Sequence, residues 1–173
     1  MVSRLFFRGA FMKLYMKQKV FSLKDRFTIV NEYGEVCYTA EGEFFTLMKK
    51  LHIFDHEGNE TAYLRQIFSF MPKYEVIVDN HLIAVVSKKL TLLRPQYEIE
   101  GLDWHVDGSW HEHEYEITDN SRVIVSVHKE WMSWGDSYEI DVKDPLDEVN
   151  AVAVVLAIDA VLAAQAAAAS SGD

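Results

Sequence analysis

The sequence of 173 residues contains one cysteine, Cys37. A single thiol excludes an intramolecular disulfide, and we assign it no catalytic role. Chains without disulfides are typical of a reducing compartment, so we expect a cytoplasmic protein. The N-terminus lacks the apolar core of a secretory signal, because Arg8 interrupts the short run "LFF". Residues 1–11 are predicted to be an extension that precedes a single domain over residues 12–169.

Clusters of lysine and arginine are scarce, and the formal net charge is -10. Such a chain repels a phosphate backbone, so it is predicted not to bind nucleic acid. The sequence also lacks a G-x-S-x-G nucleophile turn, a P-loop and the glycine fingerprint of dinucleotide-binding folds. We therefore predict a protein that is not an enzyme and that needs no cofactor.

What the chain does contain is a repeated triplet, Tyr-Glu followed by Val or Ile. It occurs four times and begins at Tyr74, Tyr97, Tyr115 and Tyr138. With weaker copies at residues 27 and 51, the triplet recurs about every 23 residues, which is typical of a repeated supersecondary unit. Around each copy, apolar and polar residues alternate into and out of a turn rich in Asn, Asp and Gly, which predicts a β-hairpin.

Five such hairpins, an opening strand over residues 13–20 and a last strand over residues 138–142 give about twelve antiparallel strands. Within the triplet, Tyr and Ile share one face of a strand and Glu takes the other, so we predict Tyr and Ile inside and Glu in water. A flat sheet of this size has exposed edges, so a closed barrel is favoured. Its interior is too wide for strand side chains alone to fill.

One long helix is predicted over about residues 145–168, with Asp144 as its N-cap and Pro145 at its first position. Residues 149–164 are apolar on nearly every side, which is typical of a buried or a membrane-spanning helix. The uninterrupted apolar run, residues 151–158, is shorter than the roughly 20 residues that a bilayer needs. We therefore predict a helix buried inside the barrel and not a transmembrane segment.

Asp159 interrupts the apolar surface of this predicted helix. A carboxylate inside a protein needs a hydrogen-bond partner. We expect that partner to be a tyrosine hydroxyl or a backbone group from the barrel wall, and we interpret Asp159 as a structural anchor.

Six stretches carry a resemblance to a known family: "EGEFFTLMKKLHIFDHEGNE", "MPKYEVIVDN", "LLRPQYEIEGLDWHVDG", "HEYEI", "HKEWMSWGDSYEIDV" and "VVLAIDAVL". In order and spacing they resemble the LURP-one-related family, including its bacterial members, within the tubby C-terminal-like superfamily. The likeness covers about residues 12–165. It implies a mainly β fold of the α+β class, a closed antiparallel barrel of twelve strands around a buried hydrophobic C-terminal helix.

Superfamily relatives include phosphoinositide-binding tubby proteins and phospholipid scramblases. The resemblance implies a non-enzymatic domain that binds phosphoinositide-like or other anionic lipid headgroups, or a membrane surface, from the cytoplasmic side. Fold likeness is a weak warrant for function, and the tubby basic cluster has no residue-by-residue match here. The candidate headgroup ligands in this sequence are Lys49, Lys50, Lys88, Lys89 and Arg94.

Two alternatives stay open. Trp131 and Trp134 flank a predicted turn and suit a protein-interaction or scaffold module, because tryptophan is enriched at binding hot spots. A metal-dependent enzyme built on His105, His111 and His113 ranks last: His111 and His113 would share one side of an extended strand, but a third ligand has no defined spacing. We assign no metal site, and the sequence leaves the oligomeric state open.

Overall fold

The computed structural model describes residues 12–17, 26–43, 48–89, 96–109, 113–132 and 135–170. The predicted extension, residues 1–11, lies outside these ranges. The elements are β1 Met12–Lys17, β2 Phe27–Asn31, β3 Val36–Glu43, β4 Lys50–Asp55, β5 Glu60–Gln66, β6 Lys73–Val78, β7 His81–Lys89, β8 Gln96–Glu100, β9 Trp104–Ser109, β10 Glu114–Asp119, β11 Arg122–Met132, β12 Gly135–Val142 and α1 Glu148–Ser170. One turn of 3-10 helix, Pro145–Asp147, leads into α1.

The twelve strands form one antiparallel sheet in which sequence neighbours pair and β1 also pairs with β12. The strand order begins with β8 and ends with β9, and these two strands lie in contact. The sheet is therefore a nearly closed barrel with a seam between β8 and β9. The predicted barrel of about twelve strands is confirmed, but the fourth predicted hairpin forms this seam and not a paired ladder.

Gly101 lies in the link between β8 and β9 and packs against β7. Its φ is +102°, and a Cβ added there would lie 2.7 Å from the carbonyl oxygen of Ile83 on β7. The backbone of the link is thus held against β7, in a conformation that only glycine adopts readily.

Gly101→Ala is therefore expected to lower the free energy of unfolding by about 2 to 3 kcal/mol, from backbone strain and the overlap with β7. The measurement is urea unfolding followed by circular dichroism. Gly34→Ala is the matched control, because Gly34 has a φ of +79° but open space around its Cβ position. The Gly34→Ala variant should lose only about 1 kcal/mol of the free energy of unfolding. Equal losses in the two variants would show that the contact with β7 contributes nothing.

The Tyr and Ile or Val positions of all four triplets are buried inside the barrel, as predicted. The glutamates of the first three copies are partly or fully exposed on the outer face. Glu139 is the exception, because it is 5% exposed. Tyr15 lies opposite it in register on β1 and donates a hydrogen bond of 2.9 Å, and Lys13 Nζ lies 2.9 Å from its other oxygen. The prediction that the glutamate faces water is therefore wrong for Glu139.

The start of the helical segment matches the capping pattern, since the Asp144 carboxylate accepts a hydrogen bond of 2.9 Å from the Leu146 N–H. By length and composition Pro145–Ser170 is apolar enough to cross a membrane. In the structure residues 151–161 are buried, and α1 contacts β5, β6, β7 and β12. The predicted placement of the helix inside the barrel is confirmed.

Candidate functional site

The barrel has two ends that differ in composition. Antiparallel strands that pair with their sequence neighbours place successive links at alternate ends. The end formed by the β5–β6 link, residues 67–72, and by the last residues of β3, β7 and β11 is called the Phe68 end. α1 starts at the opposite end and runs towards the Phe68 end, where Gln165 accepts a hydrogen bond of 3.1 Å from Lys88 Nζ.

Two aromatic side chains project into solvent from the Phe68 end. Phe68 is 93% exposed and Phe70 is 95% exposed. Their loop is closed at its base, because the Ile67 N–H donates a hydrogen bond of 3.0 Å to the Lys73 carbonyl. Since burial of one such ring is worth about 1.5 to 3 kcal/mol, two exposed rings on one short loop leave a large hydrophobic free energy unused in the free protein.

Lysines stand at the strand ends that border this loop. Lys50 Nζ lies 3.5 Å from a Glu43 oxygen, and Lys89 Nζ lies 3.5 Å from a Glu98 oxygen. Such exposed ion pairs contribute at most about 1 kcal/mol, so these ammonium groups can exchange their carboxylate for a phosphate. The lysines that the described structure places at the Phe68 end include Lys49, Lys50, Lys73, Lys88 and Lys89.

Carboxylates dominate the opposite end. Burial raises the pKa of Glu148 above its ordinary value, and its Oε1 accepts a hydrogen bond of 2.5 Å from the Tyr38 hydroxyl. Arg122 and Lys143 also lie at this end, but the acids outnumber them, so among the described residues it is the more acidic end of the barrel. Acids at the strand ends and links of this end include Glu32, Glu35, Asp55, Glu57, Glu60, Asp79, Asp103, Asp119, Asp144, Asp147 and Glu148.

A second polar cluster lies inside the barrel around Asp159, which is 3% exposed. The Tyr138 hydroxyl donates a hydrogen bond to Asp159 Oδ2. The His113 ring stacks on the Tyr138 ring, with centroids 4.3 Å apart, and its Nε2 lies 3.4 Å from Asp159 Oδ1. Burial, then the negative charge of Asp159, raise the pKa of Tyr115 and Tyr138 well above the ordinary value. The expected tyrosine partner of Asp159 is confirmed.

Comparison with known proteins shows what this barrel is related to. Residues 12–159 match the model of a family described as LURP-one-related. The chain belongs to the LURP-one-related family. The uncharacterized protein YxjI of Bacillus subtilis (strain 168) is 36% identical over 151 residues, which cover 87% of this chain and 93% of that protein.

The X-ray structure of an Arabidopsis thaliana protein has the same fold, with a TM-score of 0.60 and 15% identity. The match covers 88% of this chain and 92% of the plant protein. The resemblance to the LURP-one-related family inferred from the sequence is confirmed, and the plant structure supports the barrel fold.

The LURP-one-related barrel places four of the predicted headgroup ligands at the Phe68 end, namely Lys49 and Lys50 at the start of β4 and Lys88 and Lys89 at the end of β7. Arg94 lies outside the described residues. Sequence reasoning missed Phe68, Phe70 and Lys73. The available signal was "IFSFMPK", two aromatic residues in a predicted link directly before a strand.

The tryptophan alternative falls largely outside the described part of the chain. The backbone of Trp131 pairs with Asp136 where β11 ends, near the Phe68 end. Trp134 lies beyond the described residues, as does the Trp131 side chain. The hypothesis of a tryptophan-based protein interface stays a prediction.

His113 does not lie in the extended strand that a His111 and His113 ligand pair would require. His113 is in a turn with a φ of +56°, between the end of β9 at Ser109 and the start of β10 at Glu114. His105 lies near the other end of β9, with Nε2 3.4 Å from Asn120 Oδ1. His105 and His113 therefore cannot share an ion. Across the described ranges no group of three His, Cys, Asp or Glu residues is placed to hold a metal, and His111 lies outside them.

Proposed function

We propose that this protein is a non-enzymatic domain that docks its Phe68 end on anionic phospholipid surfaces. The observation that supports this most strongly is the exposure of Phe68 and Phe70 on one loop beside the lysines of the same end. In this arrangement the rings enter the interface between headgroups and acyl chains, and the ammonium groups contact lipid phosphates.

The binding free energies of the rings and the lysines favour reversible, peripheral binding that needs both groups of side chains. Each phenylalanine contributes about 1.5 to 3 kcal/mol when buried, and each lysine near an anionic surface contributes about 1 kcal/mol. The ion pairs of Lys50 and Lys89 reduce the lysine contribution, because a carboxylate must be displaced. Neither the rings nor the charges alone give strong binding at physiological salt.

The net charge of -10 opposes this docking, but the acids of the opposite end lie far from the contact. The helix places about 25 Å between the acidic end and Gln165, at 1.5 Å per residue. This separation is about three times the Debye length of about 8 Å at physiological salt, so the repulsion is largely screened. The barrel therefore presents its Phe68 end to the membrane and keeps its more acidic end away.

Vesicle co-sedimentation tests the proposal. We expect binding to mixed phosphatidylserine and phosphatidylcholine vesicles that weakens as salt rises, and little binding to phosphatidylcholine alone. Phosphoinositide vesicles of equal surface charge distinguish recognition of one headgroup from attraction to charge. Absence of binding at low salt would contradict the proposal and would favour the protein-interaction hypothesis.

Lys50→Gln with Lys89→Gln should weaken binding to the anionic vesicles about 10- to 30-fold, since two surface charges are lost. The control is His56→Glu with Leu82→Glu, which lowers the net charge by the same amount at exposed positions of the opposite end. It should bind within about twofold of the wild type, because the added charges lie several Debye lengths from the membrane. An equal loss in both variants would show that global charge, and not the Phe68 end, controls binding.

A further inference from the structure

The interior cluster contains a carboxylate oxygen that the protein does not satisfy. Asp159 Oδ1 is buried and accepts no hydrogen bond. His113 Nε2 is 3.4 Å away, longer than the 2.7 to 2.9 Å that is typical of an ammonium-like N–H on a carboxylate. The Tyr115 hydroxyl is also buried and without a hydrogen-bond partner. A buried charge in this state is costly, so native proteins normally supply a compensating group.

We propose that the interior of the barrel beside Asp159 binds a monovalent cation, held by Asp159 Oδ1 and by the hydroxyl oxygens of Tyr115 and Tyr138. All three donors are oxygen atoms, which suit alkali ions. The set carries one negative charge, whereas calcium sites usually use several carboxylates. The site is independent of the proposed membrane docking.

Tyr115 stands on β10 two residues after His113, whose Nε2 lies 3.4 Å from Asp159 Oδ1, and its side chain is buried inside the barrel. The charge of Asp159 also raises the pKa of Tyr115. Tyr97 on β8 faces the same charge, which adds to burial in raising the pKa of its hydroxyl. These phenols stay protonated and neutral, so they offer oxygen lone pairs to a cation without adding a second negative charge.

His113 is the competing partner for this charge, because an imidazolium can neutralise Asp159 without a bound ion. The groups that face Asp159 are therefore His113 from the β9–β10 link, Tyr97, Tyr115 and Tyr138. The test is best made at pH 8, where imidazole side chains are ordinarily neutral. At this pH a positively charged imidazole competes least with the cation for the Asp159 carboxylate.

The experiment compares melting temperatures in potassium, sodium and choline chloride at one ionic strength. Choline is the reference cation, because oxygen ligands cannot coordinate its quaternary ammonium group directly. The wild type should melt about 2 to 4 °C higher in one or both alkali salts than in choline, because only the folded state binds the ion. Asp159→Asn should lose this difference and should melt at or above the wild type in choline, since a neutral amide replaces an uncompensated charge. Tyr115→Phe should reduce the difference.

Glu139→Gln is the matched control, because Glu139 is a buried acid on the outer face that already has Lys13 and Tyr15 as partners. The Glu139→Gln variant should keep the full difference in melting temperature between the alkali salts and choline chloride. Crystals grown in rubidium chloride should show anomalous density beside Asp159, a result that does not depend on any variant folding. Equal wild-type melting temperatures in all three salts, or no rubidium beside Asp159, would overturn the proposal and assign the neutralising role to His113 or to a proton on Asp159.

Discussion

Leu156→Ala is expected to lower the free energy of unfolding by about 2 to 5 kcal/mol. Leu156 lies in α1 and is fully buried inside the barrel. Removing its side chain leaves a cavity that a nearly closed ring of paired strands cannot easily fill by moving inwards. Urea unfolding followed by tryptophan fluorescence and circular dichroism measures the loss, and coincident transitions show that the helix and barrel unfold together.

Leu146→Ala is the control, because the same residue type stands at the entrance of the helix and is 90% exposed. Its effect on the free energy of unfolding should be below about 0.5 kcal/mol. Similar small losses for the two variants would contradict the placement of α1 as the core of the barrel.

Phe68→Ser with Phe70→Ser is expected to reduce the affinity for anionic vesicles about a hundredfold or more. Each ring contributes about 1.5 to 3 kcal/mol on entering the interface, and 1.4 kcal/mol corresponds to a factor of ten. Because both side chains are almost fully exposed in the free protein, the melting temperature should stay close to that of the wild type. Equilibrium binding to vesicles, measured across lipid concentration, gives the affinity.

The control for the phenylalanine variant is Tyr33→Ser with Leu146→Ser, which removes two exposed apolar side chains from the opposite end. Its vesicle affinity should match that of the wild type. A comparable loss in both variants would mean that the molecule has no preferred membrane-facing end. A phenylalanine variant that binds like the wild type would show that the rings do not enter the lipid.

Local patterns predicted most of the fold because they act over a few residues. Alternation around Tyr74 and the positive φ of Asp79 and Asn80 belong to one hairpin, and the Asp144 cap belongs to one helix start. The exception at Glu139 depends on Tyr15, which is 124 positions away. Strand pairing over such a distance has no local signal, so the sequence could not separate this glutamate from the other three.

The candidate site also contains residues that were predictable from the sequence and residues that were not. A family resemblance pointed to the lysines, but the exposure of Phe68 and Phe70 depends on the whole fold, because aromatic residues are more often buried. Chemistry predicted that Asp159 needs a tyrosine hydroxyl or a backbone group as its partner. Which tyrosine supplies it, and the position of His113 in a turn beside it, required the tertiary structure.

The most direct test of membrane docking through the Phe68 end is the environment of one probe at each end of the barrel. In a Cys37→Ser background, Phe70→Cys and Tyr33→Cys carry the same environment-sensitive fluorophore. On addition of anionic vesicles, the label at position 70 should brighten, shift to the blue and be quenched by quenchers in the acyl chains, while the label at position 33 stays unchanged. An unchanged label at position 70 on vesicle-bound protein, or a shift at position 33 instead, would contradict the account.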